Sequence, residues 1–227
     1  MNDDKNIILR PVAHFRSPLS TKFGLPRQSG LASSLEGRVV FELGFRSPEG
    51  LRGIDGFDYL WLVWVFSANR HASDAMTVRP PRLGGNTRLG VWATRSPYRP
   101  NPIGLSCVKL EKVEWESAEG PVLHVSGADL MDGTPIVDIK PYVPYCDARP
   151  DARGGFTDST KWNMLEVTLS PEVCELLDER QAEALREILA LDPRPHYHDD
   201  PERVYGLAYA GHDFHFRVSD GKLNCFI

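Results

Sequence analysis

Arg79, Arg82, Arg88, Arg95 and Arg99 all fall in one stretch, RPPRLGGNTRLGVWATRSPYRPNPIGLS, at residues 79–106. No Asp or Glu occurs between Asp74 and Glu111, although the chain carries a net charge of −5. Guanidinium groups offer planar forks of donors, and glycines let backbone N–H groups come close to a ligand. Positive charge gathered in this way suits an anion such as a phosphate or an RNA backbone. The alternative is a solvated loop whose arginines pair with carboxylates elsewhere, and the chain has 31 acidic residues to supply them. Charge alone leaves both readings open.

Other chemistry is harder to find. There is no GxSxG elbow, no HExxH pair and no Walker loop. LGGNTRLG has glycines but does not match GxGxxG, and the Arg-Pro-Pro-Arg before it cannot be a strand that feeds a helix. A parallel-sheet dinucleotide fold is therefore not expected. His196, His198, Asp199, His212 and His215 follow no familiar ligand spacing, so no metal is expected. Asp129 and Asp132 flank a turn in which Asp132-Gly133-Thr134 would present a carboxylate, a hydroxyl and free N–H groups to a ribose or an amino group. The same residues would also make an ordinary Asx-type turn that needs no ligand. No residue declares itself as a general base.

The elements that must position these groups read as mainly β. A hydrophobic fraction of 41% and a charged fraction of 25% over 227 residues describe a globular protein of one large domain, or of a main domain with a small one. The four cysteines are scattered without a CxxC pair, which argues against a zinc ribbon or a disulfide framework. The opening MNDDKN is not a signal sequence, and the longest apolar run, Tyr59 to Phe66, is too short to span a bilayer. A cytoplasmic protein without membrane association is expected.

Strands are expected over Ile7–Phe15, Arg38–Phe45, Tyr59–Phe66, Arg88–Thr94, Leu105–Trp115, Val122–Val125 and Ile136–Ile139. The Tyr59 strand is apolar on both faces and should be central and buried on both sides. The apolar phase slips between Leu110 and Val113, which predicts a bulge. Pro97, Pro100 and Pro102 forbid regular structure between residues 96 and 102. Short strands divided by turns imply an antiparallel barrel or sandwich. Residues 146–161 read as a linker. Beyond them, a helix capped by Ser170 runs to Asp192, its apolar face interrupted at Arg180 and Gln181. A hairpin turning at Asp220-Gly221 closes the chain. The expected organisation is an antiparallel β-barrel domain over residues 1–147, a linker over 148–162 and a small α+β C-terminal domain over 163–227.

Four blocks carry a resemblance: LPRQSG at 25–30, TVRPPRLGGNTRLGVWATRSPYRPNPIGLS at 77–106, GADLMDGTPIVDIKPYVP at 127–144 and DPRPHYHDDPERVYG at 192–206. Together they resemble the TrmO/TsaA-like family over nearly the whole chain. The resemblance implies a β-barrel methyltransferase that uses S-adenosyl-L-methionine to methylate N6 of threonylcarbamoyl-adenosine beside the anticodon of tRNA. It also implies a homodimer, with the cofactor held near the dimer interface. Carried over by position, Pro26, Arg27, Gln28, Arg95, Leu105, Asp132, Gly133 and Thr134 would bind the cofactor. The family often places a His and a polar neighbour after the Phe that ends the buried strand; here Phe66 is followed by Ser67-Ala68. Any contact at that point falls to backbone or to the Ser67 hydroxyl. For the tRNA, Tyr98 is a stacking candidate, Arg82, Arg88 and Arg99 are phosphate candidates, and Arg194 and Tyr197 would add contacts from the C-terminal domain. An RNA- or nucleotide-binding barrel without transfer activity is the alternative.

Overall fold

The computed structural model describes residues 7–69, 75–160, 163–195 and 200–227. The N-terminal half holds β1 (Ala13–Arg16), β2 (Glu36–Phe41), β3 (Tyr59–Val65), β4 (Thr77–Val78), β5 (Leu89–Gly90), β6 (Ile103–Glu114), β7 (Val122–Ser126) and β8 (Pro135–Pro141). Six of these close an antiparallel barrel in the order β1-β2-β7-β6-β3-β8, while β4 and β5 form a separate two-stranded ribbon. Alternate side chains point inward. Phe15, Val39, Leu60, Leu62, Trp64, Val108, Leu123 and Ile136 meet in one core. At the register pair Trp64–Gly104, a Cβ on Gly104 would lie 2.3 Å from the indole, so only glycine lets the ring lie across β6.

Several expectations need correction. β3 is buried on one face only: Leu60, Leu62 and Trp64 face the core, while Tyr59 is 42% exposed and Trp61, Val63 and Val65 are half-buried. A closed barrel has an outside, and the apolar outer residues of β3 lie on it. The first strand begins at Ala13, and Ile7 and Ile8 are solvent-exposed. The second spans Glu36–Phe41, and Leu43–Phe45 turn as a short 3-10 helix. Of the run Arg88–Thr94, only Leu89 and Gly90 pair as a strand, and Val91–Ala93 form a 3-10 turn. The expected bulge is present, with the β6–β7 register shifting between Leu110 and Lys112.

The C-terminal half holds α1 (Pro144–Asp147), β9 (Glu166–Leu169), α2 (Pro171–Leu176), α3 (Glu179–Ala190), β10 (Tyr205–Tyr209), β11 (His212–Ser219) and β12 (Lys222–Phe226). The sheet order is β10-β11-β12-β9, with β9 parallel to β12. Ser170 caps α2 as expected, by accepting from the Val173 N–H. The single helix expected here is two. Asp178 starts α3 with a reciprocal capping box to Gln181, which stops the first helix before Leu177.

The second core is not made by the C-terminal half alone. Leu19, Ala32 and Leu35, from the loop joining β1 to β2, are buried among Val173, Leu185, Tyr209 and Phe216. Phe23 stacks on Phe216 with ring centroids 6.2 Å apart. The loop's outer edge is tied to α3 as well, where Glu187 accepts from the Ser33 hydroxyl at 2.9 Å and the Ser34 N–H at 2.8 Å.

Candidate functional site

β6 pairs with β3 from Ile103 onward, but β7 joins it only from Lys109. The free edge of β6 that results is filled by two loop segments. Gly30 donates its N–H to the Gly127 carbonyl at 2.8 Å, joining the segments to each other. Cys107 donates its N–H to Ser29 Oγ at 3.1 Å, joining them to the barrel. Inside this junction the fully buried Ser106 accepts from Trp64 Nε1 at 2.9 Å and donates to Asp129 at 2.5 Å.

Asp129 is the electrostatic centre of the junction. Burial pushes its carboxyl above the usual aspartate range, because an ionised group loses hydration there. Hydrogen bonds from Ser106, from its own N–H and from the Ser29 N–H, with the nearby Arg95 charge, oppose that shift without cancelling it. Arg95 is exposed, and its Nη1 donates to Gln28 Oε1 at 2.5 Å. Gln28 Nε2 in turn donates to the Arg27 carbonyl at 2.5 Å. Burial lowers the affinity of the Arg27 guanidinium for its proton, offset in part by Asp192 of the C-terminal half. Lys22 Nζ reaches Asn69 Oδ1 at 2.5 Å, which brings the turn holding Ser67 against the same loop. Leu105, 52% exposed, lies on the outer face of β6 beside Ser106.

The fold therefore brings together Gln28, Arg95 and the edge bearing Leu105, places Pro26 and Arg27 in the same loop, and sets Ser67 nearby. The Asp132-Gly133-Thr134 turn is occupied differently from the expectation of free N–H groups. Asp132 donates its N–H to the Leu19 carbonyl at 2.9 Å and Gly133 to that of Phe15 at 2.8 Å. The Thr134 hydroxyl donates to the Met131 carbonyl at 2.7 Å. These bonds close the end of β1, and the Asp132 carboxylate accepts from the Ser17 N–H at 3.1 Å. It borders a cleft of about 410 Å³ that includes Arg16, Arg38, Glu111 and Arg180.

The arginines divide. Arg82 Nη2 donates to the Thr160 carbonyl at 2.9 Å, holding the basic stretch to the linker. Arg194 grips Asp192 through Nε at 2.8 Å and Nη2 at 2.9 Å, and its side chain is only 16% exposed. Arg88 is exposed and bonds Thr77 Oγ1 at 3.2 Å. Arg99 donates to the Thr94 carbonyl at 3.3 Å and lies over the Trp92 ring. Tyr98 is 54% exposed. Tyr197, together with His196, His198 and Asp199, lies outside the described residues. Sequence reasoning missed Ser29, Ser106 and Trp92, and saw Asp129 only as one end of a turn.

A closed barrel with polar and charged groups gathered on loops at a strand edge is unlike the ligand crevice of a parallel sheet. The exposed Arg95 guanidinium offers donors to an anionic group, and the exposed Leu105 offers an apolar surface beside it, while Asp129 is buried behind them. Comparison with known proteins makes the class specific. The tRNA-methyltransferase O N-terminal domain matches residues 14–148, and the TrmO C-terminal domain matches residues 163–226. The chain is 40% identical over 219 residues to the tRNA (adenine(37)-N6)-methyltransferase of Escherichia coli K12, covering 93% of each protein. It is 45% identical over 166 residues to the enzyme of that name from Eikenella corrodens, covering 73% of this chain and 93% of that one. A crystal structure of TrmO from Pseudomonas aeruginosa superposes with a TM-score of 0.78 at 33% identity, over 97% of this chain and 96% of that one. The chain belongs to the tRNA-methyltransferase O family.

Proposed function

We infer that this protein is a tRNA methyltransferase that uses S-adenosyl-L-methionine to methylate N6 of the adenine beside the anticodon. The finer substrate we propose is threonylcarbamoyl-adenosine. The observation that carries this reading is the junction at the β6 edge, where the Pro26–Ser29 loop, Arg95, Leu105, Ser106 and Asp129 converge within the region matched by the family. The cofactor supplies a sulfonium methyl, which needs no metal to activate it. The chain's own task is to align a poor nucleophile, since the N6 lone pair is shared with the purine ring and the carbamoyl carbonyl.

In this reading Arg95 and Gln28 orient the cofactor, Pro26 and Arg27 shape its loop, and Leu105 and Ser67 border it. The Asp132-Gly133-Thr134 turn, whose N–H groups and hydroxyl are engaged within the chain, would offer the cofactor the Asp132 carboxylate. The barrel over residues 1–147 holds the cofactor, residues 148–162 link, and residues 163–227 approach the tRNA. A cytoplasmic homodimer accords with two features. Among the described residues no helix is long and apolar enough to cross a membrane. The barrel exterior also exposes Tyr59 of β3 and Ile103 and Leu105 of β6, apolar side chains that a second copy would cover.

The test pairs calorimetry with S-adenosyl-L-methionine and methyl transfer to tRNA that bears or lacks the threonylcarbamoyl group. Cofactor binding with transfer only to the modified tRNA is expected. Absence of binding at millimolar cofactor would sink the reading. Binding of cofactor and tRNA without transfer would leave an RNA-binding barrel.

A further inference from the structure

Trp92 is 66% exposed, on a stretch that contains no acidic residue. Its backbone is not loose. The preceding Val91 is fully buried, and its N–H donates to the Met76 carbonyl at 2.9 Å. The Val91 carbonyl accepts both the Thr94 N–H at 3.1 Å and the Thr94 hydroxyl at 2.9 Å. The 3-10 turn Val91–Ala93 is thus nailed down on the inside while it carries an indole on the outside. The ring is steadied too, because the Arg99 guanidinium carbon lies 5.6 Å from its centroid. Three residues further along, Arg95 holds Gln28 of the cofactor loop.

We propose that Trp92, backed by Arg99, is the platform on which a base of the anticodon loop stacks as the target adenine enters the site. This rests on the tRNA-methyltransferase reading above. A rigid backbone, a ring held on one side by a cation and an acid-free stretch of chain are what a single-stranded nucleic acid requires. Every base has a π-face, and the stretch that carries Trp92 itself holds no carboxylate to repel the phosphates. The arrangement gives Arg99 a different task from a phosphate contact. It orients the indole and adds positive charge beneath the stacked base.

The experiment compares wild type with Trp92→Ala, Trp92→Leu and Trp92→Phe on full-length tRNA. Stacking on an aromatic residue is worth about 1–3 kcal/mol per base, so Trp92→Ala and Trp92→Leu should raise the tRNA KM by about 5- to 100-fold. Their affinity for S-adenosyl-L-methionine should stay at the wild-type value, and Trp92→Phe should recover most of the loss. Anticodon stem-loops carrying one abasic residue at each loop position give the complementary measurement. At one position the loss seen with wild type should vanish in Trp92→Leu, the non-additivity expected of two groups in contact. Should Trp92→Ala not fold, Trp92→Leu and the abasic series carry the comparison. An unchanged tRNA KM, an equal loss of cofactor affinity, or a shift from dimer to monomer would each overturn the platform. If wild type transfers no methyl to any tRNA, the underlying reading fails instead.

Discussion

Asp129 shows how one side chain can set both stability and affinity. It accepts from Ser106, which is held by Trp64, and from the N–H of Ser29, which follows Gln28 directly. The carboxylate therefore ties the loop bearing Gln28 to the barrel wall, and in the proposed site it would act on the cofactor through Gln28 and Arg95. Asp129→Asn keeps the size but loses the charge and one acceptor oxygen. Hydrogen bonds to charged groups are worth about 1.5–3 kcal/mol, so cofactor affinity should fall by roughly 10- to 100-fold by calorimetry. Stability should move the other way with pH. The folded-state pKa is raised, so the stability contributed by Asp129 is full below the ordinary value of 3.8 and is lost as pH rises through the folded value. Across that rise the Tm of Asp129→Asn should gain on that of wild type. Parallel Tm curves would show that burial does not govern this group. None of this is legible in the sequence, where Asp129 is one end of a turn. Its partners come from β6 and from a loop far upstream, and only barrel closure brings them together.

At the scale of elements, the loop between β1 and β2 belongs to two structures at once. Its tip carries Gln28 and Ser29 to the barrel edge, while Leu19, Ala32 and Leu35 sink into the C-terminal core. Gly24 packs so closely there that a Cβ would lie 2.4 Å from Leu207 Cδ1, and its φ of +88° already favours glycine. Phe23→Ala tests whether this anchoring serves the site. Full truncation of a core Phe costs about 3–5 kcal/mol, and the partly buried Phe23 should cost roughly 2. Cofactor affinity should fall with it, measured by calorimetry beside circular dichroism to confirm a folded chain. Undiminished affinity would make the anchor a matter of stability alone. The sequence marks this segment as a loop with apolar anchors at Phe23 and Leu25, but cannot say which core receives them. Hairpin β11–β12 is legible because Phe214, Phe216, Val218, Leu223 and Cys225 alternate along one buried face. β9 is not, because four residues paired in parallel with a distant strand leave no local signature. The split between α2 and α3 is hidden for a related reason, since Leu177 continues the apolar stripe and only the Asp178–Gln181 box breaks the helix.

At the scale of the molecule, a body of net charge −5 must present a surface to a polyanion. It does so by segregation. Acidic residues gather at the joint between barrel and C-terminal half, where Arg180 bonds Glu36 and Glu111 at 2.8 Å each. A hydrogen bond from Ser126, with help from Lys109 and Arg180, holds Glu111 below the usual glutamate range despite partial burial. The stretch from Arg79 to Arg99 stays free of carboxylates, and its arginines make different contacts within the fold. Arg82 is turned to the linker and Arg99 to Trp92, while Arg194, which the sequence suggests as a helper, is clamped by Asp192. Arg79, Arg88 and Arg95 are the exposed members of the stretch. On single-stranded RNA each phosphate neutralised contributes about 0.7 to the slope of log K against log salt. With Arg95 given to the cofactor, contacts from Arg79 and Arg88 predict a slope of about −1.4, whereas all five arginines of the stretch would give about −3.5. Arg88→Ala should flatten the measured slope by about 0.7, and Arg194→Ala should leave it unchanged while lowering Tm. A slope that responds to Arg194 but not to Arg88 would place the tRNA on the C-terminal half and away from the Trp92 turn.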